Sequence, residues 1–227
     1  FIIGCADPST VDSRLLRHLE AYDCPIMPMR FESAELCKTA INLFLAASVS
    51  TANTLADICE RIGADWSEII PSLRLDRRIG QHAYIETGLG LSGGNIERDL
   101  RTVQSLGIKH GADTEVVKSY MSHSSYRKNW LVEQFESYVS DLSSPKIGVL
   151  GLSYKENTHS IKNSPSVAFL ENILILGVQE SHIQVYDPVV KHLPGLVNLV
   201  FCRDAYQATS NVDLLFINTA WDEFRSL

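Results

Sequence analysis

The sequence predicts an α/β protein in which an all-helical central region is followed by a parallel α/β domain. Three features support this prediction. A helical pattern runs without glycine or proline from Glu32 to Ile62. A linker, Ser143-Ser144-Pro145, ends the helical part of the chain. Strands and helices alternate after that linker, which is typical of a parallel sheet with crossover helices.

The first 31 residues predict a β-α-β unit. Two short apolar runs, Phe1–Cys5 and Pro25–Met29, flank a helical stretch at Val11–Tyr22. Because the chain opens with Phe1 inside a strand of the buried type, we expect the sequence to be a piece of a longer protein. Residues 1–31 are therefore interpreted as the end of a preceding domain.

The pattern from Glu32 to Ile62 predicts one unusually long helix, with Ser33 as its N-cap and Gly63 at its end. Its apolar residues recur at helical spacing, as in Leu36, Ala40, Leu43 and Ala47. A helix of about 30 residues spans roughly 45 Å, which is longer than a small domain needs for its own core. We therefore expect this helix to connect domains or to form the interface of a homodimer.

The remaining elements are shorter. We predict helices at Trp66–Leu75, Ile96–Gly107 and Thr114–Tyr138, and a glycine-containing loop at Arg77–Gly94. After the linker, we predict strands at Lys146–Leu152, Ile183–Tyr186 and Asp213–Asn218, and a helix at Val167–Leu176. The predicted domains are residues 1–31, 32–143 and 144–227.

Charge and hydropathy argue against two classes of partner. The net charge is −7, the isoelectric point is near 5.5 and the basic residues are scattered. This predicts no surface for nucleic acid or for an anionic membrane. No apolar run reaches the roughly 18 to 20 residues that span a bilayer, and no signal peptide opens the chain. We therefore expect a soluble, cytoplasmic protein.

The cysteines and histidines show no disulfide or metal-binding pattern. The five cysteines are an odd number without CxxC spacing, and the seven histidines lack HxxxH and HExxH spacing. We expect reduced thiols and no bound metal.

Two features could carry chemistry. Lys38 and Asn42 lie four residues apart and project from one helix face, where they could polarise a developing oxyanion. The glycines of the loop 87–94 stand directly before a helix and let backbone N–H groups approach a ligand. The loop lacks the Gly-Lys-Ser/Thr ending of a nucleotide-triphosphate site. From these residues alone, a solvated helix face and a plain flexible loop are the better-supported interpretations.

Two stretches of the sequence read as motifs: Ala34–Asn42, which is Ala-Glu-Leu-Cys-Lys-Thr-Ala-Ile-Asn, and the loop 87–99, which ends in Gly-Gly-Asn-Ile-Glu-Arg-Asp. The first resembles the Ala-Glu-x-x-Lys-x-x-x-Asn stretch that begins the long central helix of the UDP-glucose/GDP-mannose dehydrogenases, which are nucleotide-sugar dehydrogenases. The second resembles that family's Pro-Gly-x-Gly-Gly-Ser-Cys-Phe-Pro-Lys-Asp. Further matches follow in the family's order at Asp76–Gly80, Val149–Thr158, Ser164-Pro165, Tyr186–Pro188 and Trp221–Arg225. The resemblance covers the chain from about Glu32 to its end and implies a Rossmann-like C-terminal domain that binds the nucleotide sugar.

The resemblance also implies roles for single residues. Lys38 and Asn42 would hold water and stabilise oxyanionic intermediates, and Asp99 would assist the water and proton steps. The substrate would be bound by Glu35, Arg78, Lys155 and the loop residues Leu91, Gly93 and Gly94. In many relatives the residue at the Arg78 position comes from the neighbouring subunit. Lys162 stands where relatives carry an arginine close to NAD.

One departure falls at the centre of the implied site. Counting back from Asp99, the nucleophilic cysteine of the family falls on Asn95, which cannot form a thiohemiacetal. Cys37 is a poor substitute because neighbours on a helix point about 100° apart. Relatives bind NAD mainly in an N-terminal domain with a Gly-x-Gly-x-x-Gly motif, of which residues 1–31 resemble only the end.

Two hypotheses follow from the sequence. In the first, the parent protein is an NAD-dependent nucleotide-sugar dehydrogenase that stops after two electrons because of Asn95, and these 227 residues alone transfer no hydride. In the second, it is a catalytically impaired homologue that serves as a nucleotide-sugar-binding or dimerisation module. Asp187, at the end of a strand, could touch a ribose, but a structural role is at least as well supported.

Overall fold

The computed structural model describes residues 1–140 and 142–227 and confirms the predicted α/β class. Its helices are α1 (Ser13–Glu20), α2 (Phe31–Ile62), α3 (Trp66–Leu75), α4 (Asn95–His110), α5 (Glu115–Val139), α6 (Pro165–Ile175) and α7 (Ala205–Thr209). Its strands are β1 (Ile2–Cys5), β2 (Met27–Arg30), β3 (Ile147–Leu150), β4 (Ile183–Tyr186), β5 (Val200–Phe201) and β6 (Leu214–Ile217). None of the helices among these residues is long and apolar enough to cross a bilayer.

The N-terminal residues form the predicted β-α-β unit. Strands β1 and β2 pair in parallel with Ile2 opposite Met27, and Asp12 caps α1 by accepting a hydrogen bond from the N–H of Arg14. The unit packs closely on α2, because a Cβ placed on Gly4 would lie 3.2 Å from the Cβ of Ala34. This unit therefore leads directly into the long helix.

Helix α2 runs for 32 residues and ends as predicted at Gly63, which has φ of 77° and donates its N–H to the carbonyl of Cys59. The predicted N-cap, Ser33, is wrong. Strand β2 passes directly into the helix, so the helix begins at Phe31 and Ser33 already lies inside its first turn. Arg30 is the N-cap and makes no side-chain capping bond.

The central helices pack along α2 in two apolar clusters. One contains Ala46, Val49, Leu91, Leu100 and Val117, and joins α2 to α4 and α5. The other contains Ala52, Ala56, Cys59 and Trp66, and joins α2 to α3. Through the first cluster, the start of α4 is held against the face of α2 that carries Lys38 and Asn42.

The C-terminal sheet is parallel, with strand order β5-β4-β3-β6. All four residues of β3 are buried, as expected for a central strand that is covered on both faces. The large core of this sheet also takes in Leu131 and Phe135 from the second half of α5. Helix α5 therefore joins the central helices to the sheet, and the domain boundary at residue 143 stays a prediction. Strand β5 and helix α7 are only two and five residues long and were not predicted from the sequence.

Candidate functional site

The candidate site is centred on the carboxylate of Asp99, in the second turn of α4. Its Oδ2 accepts hydrogen bonds from Nζ of Lys38 at 2.5 Å and from Nδ2 of Asn42 at 2.6 Å. The Arg98 guanidinium lies 3.4 Å from Oδ1. The structure therefore brings together three of the predicted catalytic residues, although Asp99 is 57 residues from Asn42 and 61 from Lys38 in the chain.

The electrostatics of this cluster favour an ion pair. Burial alone would raise the pKa of the Asp99 carboxyl, but the hydrogen bonds from Lys38 and Asn42 and the charge of Lys38 outweigh it and lower the pKa. The Asp99 side chain is 7% exposed, whereas that of Lys38 is 57% exposed. The cluster thus has a buried anion and a cation that solvent or a ligand can reach.

Glu35 lies on the same face of α2, three residues before Lys38, and is exposed. Cys37 is only partly exposed, next to Lys38 in sequence. The face that a ligand would meet is therefore formed by Glu35, Lys38 and Asn42.

Buried polar side chains of α2 and α5 form hydrogen bonds to the backbone of the glycine loop. Asn53 Oδ1 accepts from the N–H of Gly88 at 2.8 Å, and Ser124 Oγ accepts from the N–H of Leu91 at 2.8 Å. Arg127 donates to the carbonyl of Gly88 at 3.2 Å. Because the N–H of Leu91 is already engaged, only its neighbours can offer backbone donors to a ligand.

Asn95 is the first residue of α4 and is exposed. Its position follows the loop directly, so it stands at a helix N-terminus, where backbone N–H groups favour an anion or a carbonyl oxygen. Within the described residues, the N–H groups of 92–95 have no hydrogen-bond acceptor. These donors could hold an oxygen of a ligand beside Asn95.

The segment 153–163 of the C-terminal region lies over the glycine loop. A Cβ placed on Gly93 would lie 2.9 Å from the Tyr154 ring, and one on Gly94 would lie 2.8 Å from the Lys162 side chain. Asn163 Nδ2 donates to the carbonyl of Gly93 at 2.9 Å. A side chain at either glycine would clash, so both glycines allow the segment 153–163 to approach the loop closely. The Lys162 side chain contacts Gly94, which is the residue before Asn95.

The structure does not bring Arg78 and Lys155 to the Asp99 cluster through any contact among the described residues. The Arg78 side chain is 89% exposed and pairs with Asp76 at 2.6 Å. Nζ of Lys155 lies 5.8 Å from the centre of the Tyr154 ring. Their roles in binding substrate stay predictions.

Asp187 is a structural residue. Its carboxylate accepts from the N–H groups of Leu152, Ser153, Val189 and Val190, and it is 1% exposed. These donors leave no open side for a ribose. The structural interpretation is therefore the better one.

Sequence reasoning missed the residues that shape the loop, which are Ser124, Arg127 and Asn163. Ser124 and Arg127 lie three apart on one helix, but nothing in the sequence connects them to a loop more than 30 residues away. The only signal at Asn163 is that an asparagine precedes Ser-Pro. Asparagine tolerates the left-handed backbone that this residue adopts, with φ of 54°.

No group of three or more potential metal ligands forms among residues 1–140 and 142–227. The chemistry that this arrangement offers comes from an ion pair, an amide and backbone donors. It suits the stabilisation of charge on an oxygen atom and the movement of a proton.

Comparison with known proteins identifies both main regions. Residues 32–124 match the central domain of the UDP-glucose/GDP-mannose dehydrogenase family, and residues 148–227 match its UDP binding domain. The UDP-glucose 6-dehydrogenase of Rickettsia conorii is 30% identical over 200 residues, which are 86% of this chain and 45% of that protein. The UDP-glucose 6-dehydrogenase TuaD of Bacillus subtilis is 26% identical over 211 residues, 92% of this chain and 45% of TuaD.

Solved structures agree with these matches. A UDP-glucose dehydrogenase from Pyrobaculum islandicum superposes with a TM-score of 0.89 at 29% identity, over 100% of this chain and 52% of that one. The chain thus spans about half the length of the relatives it matches.

Proposed function

Because the chain belongs to the UDP-glucose/GDP-mannose dehydrogenase family, we propose that its parent protein oxidises the sugar of a UDP- or GDP-linked substrate with NAD. The observation that carries this proposal is the carboxylate of Asp99, which accepts hydrogen bonds from both Lys38 and Asn42. An ion pair with a reachable ammonium group beside backbone donors can hold the oxygen of a sugar hydroxyl. Such a protein would act in polysaccharide or glycan biosynthesis.

The chain's residues divide the proposed reaction between them. The Lys38 ammonium and the Asn42 amide would stabilise negative charge on the oxygen at the reacting carbon. Asp99, which its partners keep ionised, would receive the hydroxyl proton through a water molecule. The N–H groups of residues 92–95 would hold another oxygen of the substrate, and Glu35, Arg78 and Lys155 would bind the rest of it.

NAD, when bound, supplies the hydride acceptor, and most of its binding surface would lie outside these 227 residues. Lys162 fits the one cofactor contact proposed for this chain, because its ammonium group is a cation beside Gly94 and would face an anionic cofactor. Lysine keeps the charge of the arginine found in relatives but loses its bidentate geometry.

Asn95 limits how far the oxidation proceeds. Removal of one hydride and one proton converts the alcohol to an aldehyde, and this step needs no nucleophile. Oxidation to the acid proceeds in relatives through a covalent thiohemiacetal, which a carboxamide cannot form. We therefore expect the reaction to stop after two electrons, or the second oxidation to be very slow.

The test is to count the NADH formed per nucleotide sugar by the full-length protein. UDP-glucose and GDP-mannose would be supplied in limiting amounts, with product mass measured in parallel. We expect one NADH per sugar from the wild type and two from Asn95→Cys. Two NADH from the wild type, with a nucleotide-linked uronic acid as product, would contradict the proposed role of Asn95.

The exposed Asn95 also favours a second candidate, a catalytically impaired homologue that binds nucleotide sugar or dimerises. Here neither the wild type nor Asn95→Cys would form NADH. Calorimetric titration with UDP, GDP, UDP-glucose and GDP-mannose would then show one saturable nucleotide site. Turnover by either protein would exclude this candidate.

A homodimer is part of both candidates. Helix α2 exposes apolar side chains along its length, among them Leu36, Ile41, Phe44, Ile58 and Ile62. Light scattering should give twice the monomer mass, and Phe44→Glu, at a side chain that is 77% exposed, should reduce it. A monomeric wild type would contradict this part of the proposal.

A further inference from the structure

The contact between segment 153–163 and the glycine loop depends on one pair of polar side chains. Asn163 donates through the same amide nitrogen to the carbonyl of Gly93 and to the carboxylate of Glu97. Glu97 is the third residue of α4, two positions after Asn95. The pair therefore joins the C-terminal region to the helix turn that presents Asn95.

Asn163 makes this contact from an uncommon backbone conformation. Its φ of 54° is in the left-handed region, which costs energy for any residue other than glycine. The following Ser164 is buried and donates to the carbonyl of Leu152 at 2.7 Å, which fixes the segment on the sheet. The Asn163 amide thus extends from a rigid base in the C-terminal core.

The Glu97 side chain is also held by a residue of its own helix. Arg101, one turn later on α4, contacts its Oε1 at 2.7 Å, while Asn163 uses the other oxygen, Oε2. Because the Arg101 hydrogen bond lowers the pKa of Glu97, the side chain is an anion at neutral pH. Hydrogen bonds to an ionised acceptor are stronger than those between neutral groups.

The pair formed by Asn163 and Glu97 positions the side chain of Lys162. This residue precedes Asn163, and the contact with Gly94 brings Nζ to 2.9 Å from the point where a Cβ of Gly94 would stand. No hydrogen bond of the Lys162 side chain within the described residues could hold it there. The side chain is exposed, so its placement depends on the backbone of the segment.

We propose that Asn163 and Glu97 are positioning residues that latch the C-terminal region onto the glycine loop and thereby place Lys162 beside Asn95. The functional meaning of this latch rests on the proposed function, because Lys162 is the residue proposed to meet the cofactor. The latch itself is a property of the folded chain and can be measured without substrate.

The first test is chemical labelling of lysine amines, read by mass spectrometry on the folded chain. Asn163→Gly removes the amide and keeps the left-handed backbone, so folding should survive. We expect the rate of Lys162 labelling to rise, because its side chain would no longer be held against Gly94. Lys109, an exposed lysine near the end of α4 and outside the segment, serves as the internal control and should not change.

Matched variants separate the contact from general effects. Asn211→Gly makes the same change at a second left-handed asparagine, which is exposed and has φ of 56°, and should leave Lys162 unchanged. Glu97→Ala should raise its labelling as Asn163→Gly does, and Glu97→Gln, which keeps an acceptor, should raise it less. The double variant Asn163→Gly with Glu97→Ala should add little to either single one, because both break one contact.

The second test uses the full-length protein. We expect Asn163→Gly to raise the KM for NAD about tenfold and to leave kcat within twofold. Unchanged Lys162 labelling in Asn163→Gly and Glu97→Ala would overturn the latch, as would an equal effect of Asn211→Gly. Altered labelling in a protein without turnover would keep the latch and reject the proposed function instead.

Discussion

Two buried aspartates, Asp99 and Asp187, lie at the centres of the helical region and of the C-terminal sheet. Both residues are buried, and both have a pKa below the usual value because hydrogen bonds outweigh the effect of burial. Their partners differ. Asp187 accepts from four backbone N–H groups and from the buried side chains of Ser153 and Trp221. Asp99 accepts from the side chains of Lys38, Asn42 and Arg98, two of which are largely exposed cations.

This difference separates a structural carboxylate from a candidate catalytic one. Backbone donors belong to the fold and cannot leave without unfolding it, so Asp187 ties two loops together permanently. The Lys38 side chain is 57% exposed and can turn from Asp99 to a ligand at little cost. A buried acid is therefore a functional candidate when its donors are mobile side chains that open to solvent.

The largest effect expected from this comparison is on stability. Asp187→Ala leaves four N–H groups without an acceptor, three of them buried, and each buried orphaned donor costs about 1–3 kcal/mol. We expect the free energy of unfolding to fall by at least about 4 kcal/mol in urea titration. Asp65→Ala removes an exposed helix cap that serves a single N–H, and should cost only about 1 kcal/mol. Equal losses in the two variants would contradict the structural role of Asp187.

The second effect is on activity. In the full-length protein, Asp99→Asn should lower kcat about a hundredfold, because proton-transfer groups contribute roughly 10²–10⁴ in rate. Its free energy of unfolding should change by less than about 1 kcal/mol, since Lys38 can hydrate when it loses its partner. Glu156→Gln, at an exposed carboxylate, is the control for loss of charge. If Asp99→Asn loses stability but keeps its activity, Asp99 has a structural role like that of Asp187.

The smallest expected effect is on the pH dependence of stability. A carboxyl whose pKa is lowered in the folded state stabilises the protein above its unfolded pKa of about 3.9, and this contribution is lost as pH falls through the folded pKa. Urea titrations between pH 6 and about pH 3 should show stability falling below about pH 4. The fall should be shallower in both Asp187→Asn and Asp99→Asn than in the wild type, because each variant removes one carboxyl whose pKa is lowered by folding. An unchanged fall in either variant would mean that folding does not lower the pKa of that carboxyl.

Most of the elements could be predicted because each has a local signal. The bounds of α3 and β4 match the prediction residue for residue, and Gly63 ends α2 where expected. The failures were also local. Ser33 is a good N-cap by residue type, but the strand before it already sets the helix direction, and β5 is too short for a periodic pattern.

The candidate site was predicted in part. Helical spacing alone places Lys38 and Asn42 on one face, and the family resemblance adds Asp99 and Asn95. Spacing does not predict that Asp99 meets both side chains, since the contact spans about 60 residues and depends on how α4 packs on α2. It also gives no sign that Asn53, Ser124 and Arg127 support the glycine loop.

Residue types and their periods therefore establish the helices, the strands and the set of groups available for chemistry, because these depend on neighbours within a few turns. The packing of distant elements decides which of those groups meet and which stay ionised. It also decides which role an asparagine or an aspartate takes. Asp187 and Asn163 show this best, because each has hydrogen-bond partners that lie more than 30 residues away in the chain.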